Sequence, residues 1–458
     1  MKMLLTGGTV VSGSGCFLAD ILIENEKITA VGNTNTLSHM IDSNTVNFDV
    51  SGKLLFPGFV DAHTHFDLHV AGTVTADDFA TGTKAAIKGG TTTIIDFATQ
   101  YPGESLSQAL KNWHNKADGK CSCDYSFHMS ISEWNSTICQ ETQKMIDEGI
   151  TSFKLYMTYD TMVDDKTIFQ ILYRLKQIHG IAGVHCENDG IIAALRENVS
   201  SRQDVSNHYK TRPDVVEAEA INRLLSIAEI IDIPVIIVHL TCKKGYDVIT
   251  NARKRGQKIY VETCPQYLLL DNHFYNQPYN EASKYVCAPP LRTKDDQKYL
   301  WKGLSNGTIQ TISTDHCSFT TFQKNWDKND FTKIPGGVPG VEHRGNLIYS
   351  YGVTKKRITL ETMCRVLSEN PAKLYGIYPK KGIIAPGSDA DIVILNPAVN
   401  EKITAANQIQ HVDYTPYEGI SLSSRIEDVF LRGQHVVKNS QVVAEKTGIF
   451  LKRNTYNL

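Results

Sequence analysis

No CxxC pair, no glycine-rich GxGxxG turn, no long apolar run and no excess of one charge occur in this chain. Each absence removes a class of function. The ten cysteines are scattered singly apart from Cys121 and Cys123, which argues against a zinc knuckle or a thioredoxin-like redox pair. No stretch approaches the ~20 consecutive apolar residues of a membrane helix. The opening MKMLLTGGTVVSG lacks the apolar core and cleavage site of a secretory leader, so reduced thiols and a cytoplasmic location are expected. With 47 basic and 49 acidic residues, the formal net charge of −2 favours neither nucleic acid nor an anionic membrane surface as a partner.

What remains is an ordinary soluble composition, 41% hydrophobic and 21% charged over 458 residues, enough for one large domain and a smaller one. Residues 1–53 alternate short apolar runs with Gly and Asn turns, as in KMLLTGGTVVSG and DILIENEKITAVG, and read as a small β-domain. From residue 54 to 376, compact apolar runs alternate with amphipathic segments such as QETQKMIDEG and DKTIFQILYRLKQIHG. Eight strands are expected, at 56–65, 91–98, 125–131, 152–157, 181–187, 234–240, 258–264 and 308–316. Eight βα units over this length fit a (β/α)8 barrel. A doubly wound sheet would require the phosphate turn that is missing. Residues 377–458 return to β texture, so the two termini are expected to build one β-sandwich beside the barrel, ending in a tail from about residue 440.

The chemistry-bearing residues gather at the ends of the expected strands. His63 and His65 close the first strand, Lys154 lies in the fourth, His185 and His239 end the fifth and sixth, and Asp315 ends the eighth. Barrel enzymes build their sites at that face. Side chains alternate along a strand, so His63 and His65 point the same way, and Lys154 points with Ser152 and Tyr156 toward the barrel axis. Phe153, Leu155 and Met157 face the helices.

An ammonium among four imidazoles would repel divalent cations. Either Lys154 is neutral, or it has taken up CO2 as a carbamate that bridges two metals; the charge balance favours the carbamate. His128 and His316 read as structural partners rather than ligands. His69, His179, His208, His273 and His343 have no context that promotes them, and Cys186, Cys242 and Cys317 read as packing.

PGFVDAHTHFD, GGTTTIIDF, SFKLYM, HCEN, VHLTCKKG, VETCPQYLLLD, PPLR, STDHCSF and APGSDADIVILNP together resemble the dihydropyrimidinase–hydantoinase branch of the amidohydrolase superfamily. The resemblance runs over nearly the whole chain. It implies two divalent metal ions, zinc by expectation, with His63, His65 and Asp315 at one, His185 and His239 at the other, and Lys154 as N6-carboxylysine joining them. Imidazole and carboxylate donors also accept manganese, cobalt or nickel.

The implied reaction is hydrolysis of a cyclic ureide to an N-carbamoyl amino acid by a metal-bridging hydroxide. Asp315 would shuttle the proton and Tyr159 would donate to the oxyanion. Backbone groups at Ala288 and Gly336 would hold the ring, and a homotetramer is implied. D-phenylhydantoinase-type activity and allantoinase are the alternatives. Dihydroorotase is disfavoured, because Asp67 stands where a carboxylate-binding Arg is expected. A non-enzymatic scaffold of the same fold is disfavoured because all six ligand positions are filled. Val70 and the brief DTMVDD loop after Tyr159 depart from the family pattern, and they leave room for a bulky ring substituent.

Overall fold

The computed structural model of the chain describes residues 2–456. Eight parallel strands form a nearly closed barrel: β1 (Phe59–Thr64), β2 (Thr91–Thr99), β3 (Asp124–Ser130), β4 (Ser152–Tyr156), β5 (Ile181–His185), β6 (Val235–Ile237), β7 (Ile259–Thr263) and β8 (Thr311–Ile312). Helices packed outside connect them. Five of them begin where an oxygen-bearing side chain satisfies a free N–H, at Asp78, Ser105, Asn135, Asp164 and Thr293. The helix Asp165–Gln177 buries Ile168, Ile171, Leu172 and Leu175, the spacing of one apolar face.

β1 and β8 do not form a ladder. Their seam is sewn by side chains and one bridge between Thr64 and His316. The fully buried Arg344 donates from Nη1 to the carbonyls of Val60 (2.9 Å) and Ile312 (2.7 Å), and from Nη2 to Thr91 Oγ1 (3.0 Å). Its charge lies 3.8 Å from the Asp61 carboxylate, which also accepts from the N–H and hydroxyl of Thr314.

Two strand expectations need correction here. The expected 56–65 strand is two strands: Leu54–Pro57 leaves for the other sheet, and β1 starts after Gly58. A Cβ at Gly58 would lie 2.0 Å from Thr92 Oγ1, so glycine is required at this crossing. The expected 308–316 strand shrinks to Thr311–Ile312, because the chain turns away toward Asp315, whose φ is 52°.

The terminal segments build the β-sandwich domain together. Leu54–Pro57 pairs antiparallel with Ile392–Asn396, joining N-terminal and C-terminal strands in one nine-stranded sheet. Leu5, Ile21, Leu55, Ile392, Ile394 and Phe430 form its core. The buried Lys381 ties this domain to the barrel, reaching Asp124 of β3 (2.7 Å), Asp391 (2.7 Å) and Asp389 (3.0 Å).

The tail runs back along the barrel. Ile449 O accepts from Tyr125 N (3.0 Å), Leu451 N donates to Tyr125 O (2.7 Å), and Arg453 is buried with its Nε on Ser126 Oγ (2.9 Å). Among the described residues no helix is long and apolar enough to cross a membrane.

Candidate active site

A cavity of ≈ 1350 Å³ opens at the C-terminal end of the barrel, and every site residue named from the sequence lines it: His63, His65, Lys154, Tyr159, His185, His239, Ala288, Asp315 and Gly336. Side chains of β4 alternate between cavity and helices. Phe153, Leu155 and Met157 join the apolar layer under the helices, while Lys154 and Tyr156 face the cavity.

His63, His65 and Asp315 each present one donor atom, all within 4.8 Å of one another. Asp315 Oδ1 lies 3.1 Å from His63 Nε2 and 3.2 Å from His65 Nε2. His185 and His239 form the second pair, with ring centroids 4.6 Å apart, and His239 is 5.5 Å from His63. Three site residues hold left-handed backbone: Tyr159 (φ 74°), His239 (φ 39°) and Asp315 (φ 52°). L-residues adopt this region rarely and at a cost, and such strain gathers at functional sites.

Two carboxylates that the sequence reasoning passed over orient the imidazoles. Glu262, fully buried on β7, sits 2.7 Å from His63 Nδ1. Glu187 sits 2.8 Å from His185 Nε2, and its other partner is the Arg212 guanidinium, which packs 5.5 Å from the Tyr159 ring. A carboxylate on one ring nitrogen fixes the tautomer and turns the other nitrogen's lone pair toward a metal. The signal was available: Glu187 lies two residues past His185, and Glu262 sits in the only barrel strand to which no site residue had been assigned besides β2 and β3.

Electrostatics favour neutral imidazoles at three of the four histidines. Burial lowers His65 to about 4 and depresses His185 and His239. At His63, burial and Lys154 pull the imidazole down, but Asp315 and Glu262 outweigh them and its pKa rises. Burial opposes ionisation of Asp315, yet the surrounding histidines hold its carboxyl well below the usual range. Burial brings Lys154 from 10.5 to about 8. Among the described residues its Nζ makes no hydrogen bond or ion pair; its near neighbours are the rings of Phe97 (4.9 Å) and Tyr156 (5.1 Å).

The donor set fits metal ions. His239 Nδ1 is buried without a hydrogen-bond partner, and buried His63 Nε2 makes no well-aligned hydrogen bond, with only the Asp315 carboxylate 3.1 Å away. Orphaned polar atoms in a protein interior are costly unless something binds them.

His128 is structural as expected, bonded to Ser152 Oγ and the Ala62 carbonyl, and His316 likewise, on Asp77. One expectation needs correction: Cys317 lines the cavity instead of packing away from it, because it follows the last barrel strand on a loop, where strand parity no longer applies. His69, on a rim hairpin, and His208, on the helix Asn207–Lys210, also line the cavity.

Comparison with known proteins agrees with this geometry. The amidohydrolase family profile matches residues 54–436. A D-hydantoinase of Geobacillus stearothermophilus is 41% identical over 100% of this chain and 97% of its own length. A D-phenylhydantoinase of Escherichia coli (strain SE11) is 39% identical over 100% of this chain and 99% of its own. The crystal structure of a dihydropyrimidinase from Brevibacillus agri NCHU1002 superposes with a TM-score of 0.97 at 41% identity, covering 100% of both chains. A barrel with a His-His-Asp cluster at its mouth, and full-length relatives at this identity, make the chain a member of the hydantoinase family of the amidohydrolase superfamily.

Proposed function

We propose that this protein hydrolyses the cyclic amide of 5-substituted hydantoins and 5,6-dihydropyrimidines, releasing N-carbamoyl amino acids. The observation that carries this reading is the convergence of His63, His65, His185, His239 and Asp315 around a fully buried lysine whose Nζ makes no direct ion pair among the described residues. Residues 54–376 serve as the hydrolase domain, flanked by the sandwich segments 1–53 and 377–458.

His63, His65 and Asp315 would hold one divalent ion and His185 and His239 the other, zinc in both by family expectation. Lys154 would contribute as N6-carboxylysine. Its neutral amine, sizeable near pH 8, adds through the nitrogen lone pair to the carbon of CO2 and loses one N–H proton to solvent. The anion so formed supplies the negative charge that four imidazoles cannot. When bound, the two ions supply Lewis-acid polarisation of the ring carbonyl and bring the pKa of water to about 7.

The chain's own groups do the rest. Backbone groups at Ala288 and Gly336 hold the ring; a Cβ on Gly336 would lie 4.0 Å from Ala288 Cβ, so the two loops meet there. The Tyr159 hydroxyl donates to the carbonyl oxygen as negative charge develops on it. The Asp315 carboxylate takes the proton of the attacking water and hands it to the ring nitrogen as the C–N bond breaks. That nitrogen lies between two carbonyls and leaves more readily than an ordinary amine.

Val70, Met162 and Ile334 line the outer cavity, and a volume of ≈ 1350 Å³ exceeds what an unsubstituted ring needs. These apolar walls, and the D-phenylhydantoinase relative, support acceptance of a bulky aromatic substituent. A homotetramer in the cytoplasm completes the reading; exposed Phe17, Leu18 and Ile230 offer apolar surface, and all ten cysteines are free thiols.

The test is kcat/KM on dihydrouracil and on the two enantiomers of 5-phenylhydantoin. We expect ring opening of both ring types and a preference of about tenfold or more for the D enantiomer. No ring opening by the metal-loaded protein would overturn the reading.

A further inference from the structure

The short helix Thr321–Lys324 stands beside the cavity and has no part in the chemistry above. Its cap is closed locally: Thr320 N donates to Gln323 Oε1 (2.8 Å), and Gln323 N donates to Thr320 Oγ1 (3.2 Å). With its oxygen engaged there, the Gln323 amide nitrogen points outward and donates to Thr73 Oγ1 (2.8 Å) and the Val74 carbonyl (2.7 Å). Thr73–Val74 is one arm of a small hairpin, and the other arm, His69–Val70, lines the cavity rim.

Lys324 faces the opposite way. It is fully buried, and its Nζ donates to three carbonyls: Val286 (2.8 Å), Pro335 (2.7 Å) and Gly337 (2.7 Å). An ammonium has three N–H donors and no acceptor, so its capacity is filled. No carboxylate pairs with it among the described residues. A buried cation without a counter-charge is costly, and an apolar side chain of similar size would fill the space more cheaply. What the lysine adds over an apolar residue is a common anchor for two loops.

Those loops carry Ala288 on one side and Gly336 and Gly337 on the other, all lining the cavity. Val286 O also accepts from Gly337 N (3.0 Å), so the two loops are joined at the same point. A Cβ at Gly337 would come within 2.9 Å of Cys317 Sγ, which packs the second loop against the strand-eight turn that presents Asp315.

We infer that Lys324 is a positioning residue: it sets the spacing of the Ala288 and Gly336 backbone groups that hold the cyclic ureide ring, while Gln323 sets the hairpin that faces the ring substituent. One four-residue helix thus anchors both walls of the cavity, and neighbouring side chains control ring affinity and substituent choice separately. This rests on the reading that the ring is held by backbone groups at Ala288 and Gly336.

The experiment measures kcat, KM, bound metal and thermal midpoint for the full-length metal-loaded enzyme and its variants, on dihydrouracil and on 5-phenylhydantoin. Lys324→Met should raise KM by about tenfold or more on both substrates, with kcat within about threefold and the metal content of the wild type. Lys324→Gln, which keeps two donors, should fall between. Gln323→Leu should change the ratio of kcat/KM between the two substrates by about fivefold or more.

A folded Lys324→Met or Lys324→Gln with wild-type KM overturns the proposal, even if its thermal midpoint falls. Failure of both to fold also overturns it, in favour of a lysine needed only for folding. An equal effect of Gln323→Leu on both substrates overturns the division of roles. A crystal structure of the wild type with a non-hydrolysable ring analogue separates the two levels. A ring bound away from residues 288 and 336 refutes the ring site itself. A ring bound there, with KM unmoved in the variants, refutes only the role of Lys324.

Discussion

Replacing Glu187 by Gln removes one negative charge from a site that is fully buried while preserving its shape. The carboxylate holds His185 Nε2 at 2.8 Å and neutralises Arg212, itself buried. Burial alone would raise the Glu187 pKa, but Arg212 and His185 overcome it and hold the group at about 2, against 4.5 for a free glutamate. At about 1.4 kcal/mol for each pH unit of depression, the charge stabilises the fold by about 3 kcal/mol at neutral pH. Stranding one partner of a buried ion pair gives a similar figure, about 3–5 kcal/mol.

Because the folded-state pKa is depressed, this stabilisation is complete above pH about 4.5 and is lost as the pH falls toward about 2. Denaturant unfolding of wild type and Glu187→Gln should therefore differ by about 3 kcal/mol at pH 7, with the gap narrowing once the pH drops below about 4.5. Metal affinity should fall about 10–100-fold, since His185 loses the group that fixes its tautomer. A gap below about 1 kcal/mol at pH 7, or one that does not change with acidification, would refute the reasoning.

Three further outcomes are expected. Tyr159→Phe should lower kcat by about 100–1000-fold with little change in KM, the loss of one donor to the developing oxyanion, measured by steady-state kinetics. Arg344→Met should destabilise the fold by about 3–5 kcal/mol, because it leaves Asp61 buried without its cation and frees the Val60 and Ile312 carbonyls at the barrel seam; denaturant unfolding reads this. Ala288→Ser should keep the hydrolytic rate within about threefold, since only backbone groups are used at that position, and a collapse in rate would contradict backbone recognition.

Much of the site was legible because a barrel converts sequence order into spatial convergence. Residues at successive strand ends meet at one mouth, and period-two alternation tells which side chains enter it. His63, His65 and Lys154 follow that rule without exception. The resemblance supplied Tyr159, Ala288 and Gly336, which lie on loops that no periodicity describes.

What escaped has physical causes. Glu187 and Glu262 act on the far side of the imidazoles, and in the sequence only their positions, two residues past His185 and within β7, mark them. The seam between β1 and β8 depends on Arg344, far from both strands in sequence. The first expected strand ran through Gly58 into another sheet, since continuous apolar character does not mark where a chain changes partners. Cys317 reached the cavity because the chain leaves strand geometry after Ile312.

The most direct test of the whole account is an electron-density map of catalytically active crystals, phased with anomalous signal from the metals. The account predicts density for a CO2 adduct on Lys154 Nζ, lying between two ion peaks, one beside His63, His65 and Asp315 and the other beside His185 and His239. A bare amine at Lys154 with a single occupied ion position, in enzyme of full activity, would contradict it.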